Sequence, residues 1–404
     1  MRHENTVFHG LLKAVPRGRF EAIVKRASGD YRVRRLPCWS QFVAMIYAQL
    51  SGARSLRDLE AALSSHGARL YHLGVGQAVK RSTLSDANSG RPAALFAEVF
   101  ALLLDRLQGR LQGRLQGRLR GRLRGRLGGE AGEVVRLIDA TCLPLSHTLH
   151  GWARFTDTSA SAKVHVVYDP TAALPTYFSI TPGRVNDITA AKAMPIEAGA
   201  TYVFDKGYTD FAWWAELNTR GCRFVTRLKA NSAHQELSHR PAAEPNIVSD
   251  TLIRLTHRVA RPRVNPYQDT LREVVVRRDG ANTLRLVTND LDAPASEIAQ
   301  LYKTRWQIEL FFKWIKQNLK IRTFLGTSQN AVKIQIITAI IAYLLIRLAQ
   351  EAWPTTRGLQ HLARLIRANL MHRKSIPELL EPPPRPAKPP ANPQISMDLA
   401  HVHA

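Results

Sequence analysis

Between residues 134 and 227 short β-branched runs alternate with short helical ones, an order that neither an all-helical nor an all-β arrangement accommodates. "VVRLIDA" (134–140), "AKVHVVYD" (162–169) and "TYFSIT" (176–181) are each bounded by turn formers and predict three consecutive strands. A short helix from Asp187, a strand in "TYVFDKG", a helix in "DFAWWAELNTRG" and a strand in "CRFVTRL" follow. The expected class is therefore α/β. From about 229 to 290, "DTLIRLT", "REVVVRR" and "NTLRLVTN" read as strands without helices, a β-rich insertion into that domain. A long helix is expected to open near Ala295.

The flanks read differently. Residues 1–105 predict an all-α unit: "CWSQFVAMIYAQLSG" and "SLRDLEAAL" space their apolar residues by three and four, with Ser55 as an N-cap. "RSTLSDANSGRP" predicts a loop before a further apolar helix. Short helices joined by basic turns suit a DNA-binding module, and a plain helical bundle accounts for the pattern nearly as well. Arg106–Gly129 is a run of Arg-Leu-x-Gly tetrads. Leucine every fourth residue drifts about 40° per repeat around a helix, and each glycine costs roughly 1 kcal/mol against alanine, so 106–130 is expected to be a non-helical basic linker. Tandem duplication accounts for it, and auxiliary nonspecific DNA contact is the alternative. Helices are expected again over 326–376. There "IQIITAIIAYLLI" (334–346) falls short of the roughly 18 to 20 residues that span a bilayer and reads as a buried helix, with no membrane partner expected. The Pro-rich stretch 377–404 predicts a disordered tail.

The 404 residues carry a formal charge of +25, and 45% are apolar, so wholesale disorder is excluded. The tetrads hold eight arginines and no acid, so +17 would remain without them. Basicity of the whole chain favours a polyanion, nucleic acid first. Three widely spaced cysteines suggest neither a disulfide framework nor a zinc ribbon. A reducing, cytoplasmic setting fits, and the N-terminus does not have the pattern of a signal peptide.

Acids are scarce enough for their positions to matter. Asp139 ends one apolar strand and Asp205 another, and in open α/β sheets the carboxyl ends of strands meet where ligands bind. A cap or turn role would serve either residue alone. In "LYKTRWQIELFFKWIKQNLKI", with Tyr302 as zero, Arg305, Glu309 and Lys316 fall near about 300°, 340° and 320° on a helical wheel, a single narrow stripe. Leu301, Ile308, Phe311, Phe312, Ile315 and Leu319 form the adjoining apolar face, which would hold Glu309 rigidly at the edge of a sheet. Three converging carboxylates repel one another unless a cation joins them. An oxygen-only set suits Mg²⁺, and two such ions can serve an in-line displacement at phosphorus. Arg305 and Lys316 would clamp phosphates, or pair along a solvated helix face. Trp306 and Lys313 lie beside the stripe, the indole placed to stack on a base or simply to pack.

Tyr302, Arg305, Glu309 and Lys316 in this spacing match the Y-R-E-K signature, and the chain resembles bacterial insertion-sequence transposases of family four, a DDE group. "IDATCLPLS" and "YVFDKGYTDF" are similar to the segments around that family's first two catalytic aspartates, and "STLSDANSGRP" to the helical N-terminal domain of one subgroup. The resemblance runs from about residue 3 to 380. It implies a ribonuclease-H-like catalytic core over 131–325 carrying the β insertion, after an N-terminal DNA-binding domain. Asp139, Asp205 and Glu309 would be the metal-binding catalytic triad, with Mg²⁺ as cofactor and Mn²⁺ able to substitute. Tyr302, Arg305 and Lys316 would contact the transposon end. The partners would be double-stranded DNA, at element ends and target, and a second copy of the chain on paired ends. A catalytically inactive DNA-binding descendant and a metal-dependent nuclease of the same fold are the alternatives. Cys142, His147 and His150 are too loosely spaced for a zinc site, His165 reads as a core histidine, and Asp169, Asp187 and Asp210 read as caps or turns rather than triad members.

Overall fold

The computed structural model describes residues 5–122, 134–145, 150–153, 159–242, 244–256, 265–278, 281–353, 355 and 357–381. Its strands are β1 (Val135–Leu145), β2 (Ala160–Asp169), β3 (Leu174–Pro182), β4 (Thr201–Phe204), β5 (Arg223–Arg227), β6 (His234–Arg240), β7 (Ile247–Leu255), β8 (Leu271–Arg278) and β9 (Ala281–Thr288). They form one mixed sheet in the order β3-β2-β1-β4-β5-β9-β8-β7-β6. β1, β4 and β5 are parallel neighbours, and the remaining pairs are antiparallel. The first five strands give the ribonuclease-H-like core that the resemblance implies. The β-rich insertion extends the same sheet, because β9 pairs with β5. β6, "HQELSHR", is an edge strand that was not expected: nearly all of it is exposed, so no apolar alternation marks it in the sequence.

The helices are α1 (Val7–Leu12), α2 (Arg17–Arg26), α3 (Cys38–Ser51), α4 (Leu56–Ser65), α5 (Gly67–Leu70), α6 (Arg81–Gly90) and α7 (Ala93–Arg122) before the sheet. Within and after it come α8 (His150–Ala153), α9 (Asp187–Lys192), α10 (Phe211–Thr219), α11 (Ala295–Thr304), α12 (Trp306–Asn318), α13 (Gln329–Ala352), α14 (Leu359–Asn369) and α15 (Ile376–Leu380). Ser55 caps α4 as expected, accepting the Asp58 N–H at 3.1 Å.

β2 is buried along almost its whole length, as expected of a strand covered on both faces. Ile138, Phe204 and Phe224 face α10, where Phe204 meets Trp213 at 5.0 Å and Phe224 meets Trp214 at 5.1 Å. Leu137, Val166 and Val203 lie in the opposite cluster with Ile308 and Phe311 of α12, and Phe311 meets Tyr168 at 5.2 Å. Side chains alternate along a strand, so Asp139 and Asp205, two positions after Leu137 and Val203, belong to the α12 face.

That second cluster runs on through the N-terminal helices to Leu379, with α13 at its centre. α13 is long and apolar enough to cross a bilayer, yet 89% of its most apolar window is buried within the chain, the buried helix that was expected. Polar groups tie the N-terminal bundle to it: Gln49 Nε2 donates to Gln335 O at 3.1 Å, and Asn330 Oδ1 accepts from Ala93 N at 3.3 Å.

Four expectations need correction. "RSTLSDANSG" is α6, not a loop; Leu84 and Asn88 are buried, and Asn88 accepts from Gln41 at 2.7 Å, so polar residues fill interior positions. The tetrads continue α7 as far as Arg122, and the boundary expected at residue 105 falls inside that helix. Leu107 is fully buried and Leu111 packs on the core, because a four-residue repeat drifts slowly enough to keep two successive leucines on one stripe, and adding turns to an existing helix is cheap. The long helix from Ala295 is divided at Arg305, where Arg305 N–H bonds to Tyr302 O and Ile308 N–H to Arg305 O in a tighter turn. Finally, 376–380 form α15 behind a Ser375–Glu378 capping box, so the expected tail does not begin at Pro377; the remainder from 382 lies outside the described residues.

Candidate active site

β1 and β4 separate where the two aspartates emerge. Their parallel pairing ends at Ile138 and Phe204, so Asp139 and Asp205 are the next residues on neighbouring strands. β1 itself continues to Leu145, paired with β2 alone, so Asp139 ends the parallel pairing rather than the strand. α12 lies across β1 and brings Glu309 over the same point.

Arg305 and Tyr302 connect the acids. Arg305 Nη2 lies 2.6 Å from Glu309 Oε1, and Nη1 lies 3.9 Å from Asp139 Oδ2. The buried Tyr302 hydroxyl donates to Asp205 Oδ1 at 3.3 Å, and Arg227 Nη1 is 3.6 Å from the same oxygen. The Arg305 guanidinium sits 5.6 Å from the Tyr302 ring, and its Nε is buried with no hydrogen-bond partner among the described residues. Burial lowers the pKa of Lys316, whose charge also feels Cys142, Arg322 and Asp139. Trp306 is 58% exposed beside exposed Leu310 and Lys313, on the outer side of α12. Trp306 and Lys313 are not brought to the carboxylates, and the packing reading of Trp306 does not fit its exposure.

Burial pushes the Asp139 carboxyl up to about 6, helped by Glu309 and Asp205 and opposed by the Ala140 N–H bond at 2.8 Å and by Arg305. An acid whose folded pKa lies above its unfolded one burdens the fold once ionised: the cost is absent below about pH 4, grows up to about pH 6 and is constant above. Asp139→Asn removes the charge, and its amide oxygen can still accept from Ala140. At pH 8 in EDTA the variant should gain about 2 to 3 kcal/mol, a gain that shrinks away as pH falls toward 4. Urea unfolding at both pH values measures this; no gain at pH 8 would refute the charge burden.

Sequence reasoning missed two residues. Arg227, at the end of β5, gave no signal beyond strand periodicity. Tyr208, in the turn after Asp205, is 2% exposed, and its hydroxyl has no partner among the described residues. Burial raises its pKa, and the charges of Asp139, Asp187 and Asp205 add to the rise. The rival aspartates are engaged elsewhere: Asp210 caps α10 and pairs with Lys192 at 2.7 Å, Asp169 pairs with Arg136 at 3.0 Å, and Asp187 with Lys163 at 2.9 Å. His165 is fully buried against Thr181 at 2.9 Å, as a core histidine. The side chains of His147 and His150 lie outside the described residues.

Among the described residues no three acidic, imidazole or thiolate groups stand close enough to grip an ion as they are, since Glu309 is drawn onto Arg305. The donor set nevertheless fits a hard divalent cation: it is all oxygen, it comes from three elements, and its mutual repulsion is already visible at Asp139.

Residues 130–345 match the family described as Transposase DDE domain, and residues 3–76 match a domain of unknown function, DUF4372. The protein y4zB of Sinorhizobium fredii, whose name gives it as a transposase, is 39% identical over 306 residues, 74% of this chain and 80% of its own length. A Geobacillus stearothermophilus protein named for the transposase of insertion sequence element IS5377 is 30% identical over 216 residues, 53% of this chain and 56% of its own. The cryo-EM structure of a piggyBac transposase synaptic complex with hairpin DNA superposes with a TM-score of 0.44 at 10% identity over 95% of this chain and 84% of that one, too remote to carry weight. A family match over more than half the chain, on a ribonuclease-H-like sheet, places this protein in the DDE transposase family, as a transposase of insertion-sequence type.

Proposed function

We propose that this chain binds the terminal inverted repeats of its own element, hydrolyses phosphodiester bonds there and joins the freed 3′-hydroxyl to target DNA. The observation that carries this reading is the meeting of Asp139, Asp205 and Glu309 on one sheet face, linked through Arg305 and Tyr302. Asp139, Asp205 and Glu309 would hold Mg²⁺, as two ions, with Mn²⁺ able to substitute. When bound, such ions supply an activated water or 3′-hydroxyl and stabilise the leaving oxygen.

The chain's own groups do the rest. Tyr302 fixes one Asp205 oxygen by donating to it. Arg305 holds an unspent buried N–H, and with Lys316 it places positive charge where a scissile phosphate would be oriented. Trp306, exposed on the outer side of α12, would stack on a base of the end, with Lys313 on the adjoining phosphate. In this reading the N-terminal helices bind DNA, the residues from about 131 to 325 carry the chemistry with the insertion at about 229–290, and two copies act on paired ends.

A labelled duplex carrying the inverted repeat that flanks the coding sequence, incubated with Mg²⁺ and a supercoiled plasmid, tests the whole reading. Joined products are expected. Cleavage without joining would indicate a nuclease, and binding without cleavage an inactive descendant.

A further inference from the structure

The loop between α2 and α3 presents five consecutive exposed residues, Tyr31-Arg32-Val33-Arg34-Arg35. Tyr31 is 70% and Val33 37% exposed, so apolar groups stand in water beside the arginines. No carboxylate of the described residues forms an ion pair with Arg32, Arg34 or Arg35; the nearby acid, Asp86, lines the same groove on α6. A merely solvated charge run would be free to flex, whereas the base of this one is fixed. The Asp30 carboxylate accepts from Cys38 N at 2.7 Å and pairs with Arg91 at 3.6 Å, and Arg91 also donates to Leu36 O. A side chain at Gly29 would meet Cys38 Sγ and Leu95 at 2.8 Å, so a larger residue where the chain enters the loop would push those side chains aside. At the tip Arg32 takes a left-handed φ of +56°, an uncommon conformation outside glycine, with its guanidinium 5.1 Å from the Tyr31 ring.

Beside the loop lies a groove of about 470 Å³, lined on its other side by Thr83, Asp86, Ala87 and Gly90 of α6, with Arg81, Ser82 and Ser89 exposed elsewhere on the same helix. The scaffold under the loop is joined to the catalytic half, because Asn330 of α13 donates to Arg91 O and to Asn88 O. We propose that this loop and the exposed side of α6 form a duplex-DNA contact surface, through which the N-terminal helices engage the element's end. Arg32, Arg34 and Arg35 take backbone phosphates, while Val33 and Thr83 line the groove between them and α6. A membrane surface would need a broader apolar face than two side chains. The inference rests on the proposed action on DNA.

The test is fluorescence anisotropy of a 40-base-pair duplex, titrated with the full chain at several salt concentrations. Because R32A/R34A/R35A takes away three phosphate-binding cations, it should reduce the slope of log affinity against log salt by about 3. The melting temperature should be unchanged, since all three side chains are exposed. K13A/R364A/K374A, which removes three exposed cations elsewhere, controls for overall charge. An unchanged slope in the loop variant, or an equal fall in the control, overturns the assignment. Failure of the wild-type chain to bind the duplex would instead overturn the underlying reading of a DNA-acting protein.

Discussion

Asp139→Asn, Asp205→Asn and Glu309→Gln should each lower Mg²⁺-dependent cleavage of an element-end duplex by a factor on the order of 10³ or more, equivalent to about 4 kcal/mol of barrier. Each amide keeps the size of the acid it replaces, so the loss reflects charge and not packing. The amide oxygen in Asp139→Asn could still accept from Ala140 N, and that in Asp205→Asn from the Tyr302 hydroxyl, so the local backbone stays in place. Glu309→Gln also removes the charge that pairs with Arg305. Groups acting as one unit are not additive, so any pair of these substitutions should be hardly worse than one alone. Duplex affinity should stay within a few-fold of wild type, because the acids repel phosphate in the absence of a cation. Single-turnover cleavage alongside anisotropy separates the two quantities, and a variant that cleaves normally would lose its place in the triad.

Asp250→Ala should cost about 3 to 5 kcal/mol of folding stability. Arg272 Nε and Nη2 bond to both Asp250 oxygens at 2.8 and 2.6 Å, with both side chains only 4% exposed, and Arg272 also donates to Ala293 O. The pair joins β7 to β8 and reaches the segment leading into α11. Without Asp250 the guanidinium remains buried and uncompensated, whereas replacing both residues by leucine should lose far less. Urea unfolding of the single and double variants checks this. A single variant as stable as wild type would mean that water reaches Arg272. Because α11 lies over β4, β5, β8 and β9, cleavage should fall in the single variant as well.

The parts of the site that could be read from the sequence were those set by periodicity. Asp139 and Asp205 follow apolar strand runs, and a 3.6-residue repeat is enough to group Tyr302, Arg305, Glu309 and Lys316. The break at Arg305 was not visible, because its backbone stays helical and only the hydrogen-bond spacing tightens. Tyr208 was not visible either, since a buried hydroxyl without a partner is a property of packing. In the fold, composition misled where tertiary contacts decide. Ser, Asn and Gly in 81–90 suggest a loop, yet Asn88 is held inside by Gln41 and Asn330. Glycine in the tetrads opposes a helix, yet Leu107 extends a buried stripe that Leu95, Phe96, Val99 and Leu103 had already established. β1 runs past Asp139 through Pro144 to Leu145, where a proline and a cysteine resemble a loop while the pairing with β2 keeps the strand going.

In the proposed reading, three carboxylates on one sheet face hold the divalent ion that serves DNA cleavage. Replacing one oxygen donor by sulfur tests it most directly, because a thiolate accepts the softer Mn²⁺ better than Mg²⁺. Single-turnover cleavage of the element-end duplex by Asp139→Cys and Asp205→Cys should be lost in Mg²⁺ and partly recovered in Mn²⁺, by more than the wild type gains from the same exchange. Cleavage by either variant at the wild-type rate in Mg²⁺ would contradict the claim.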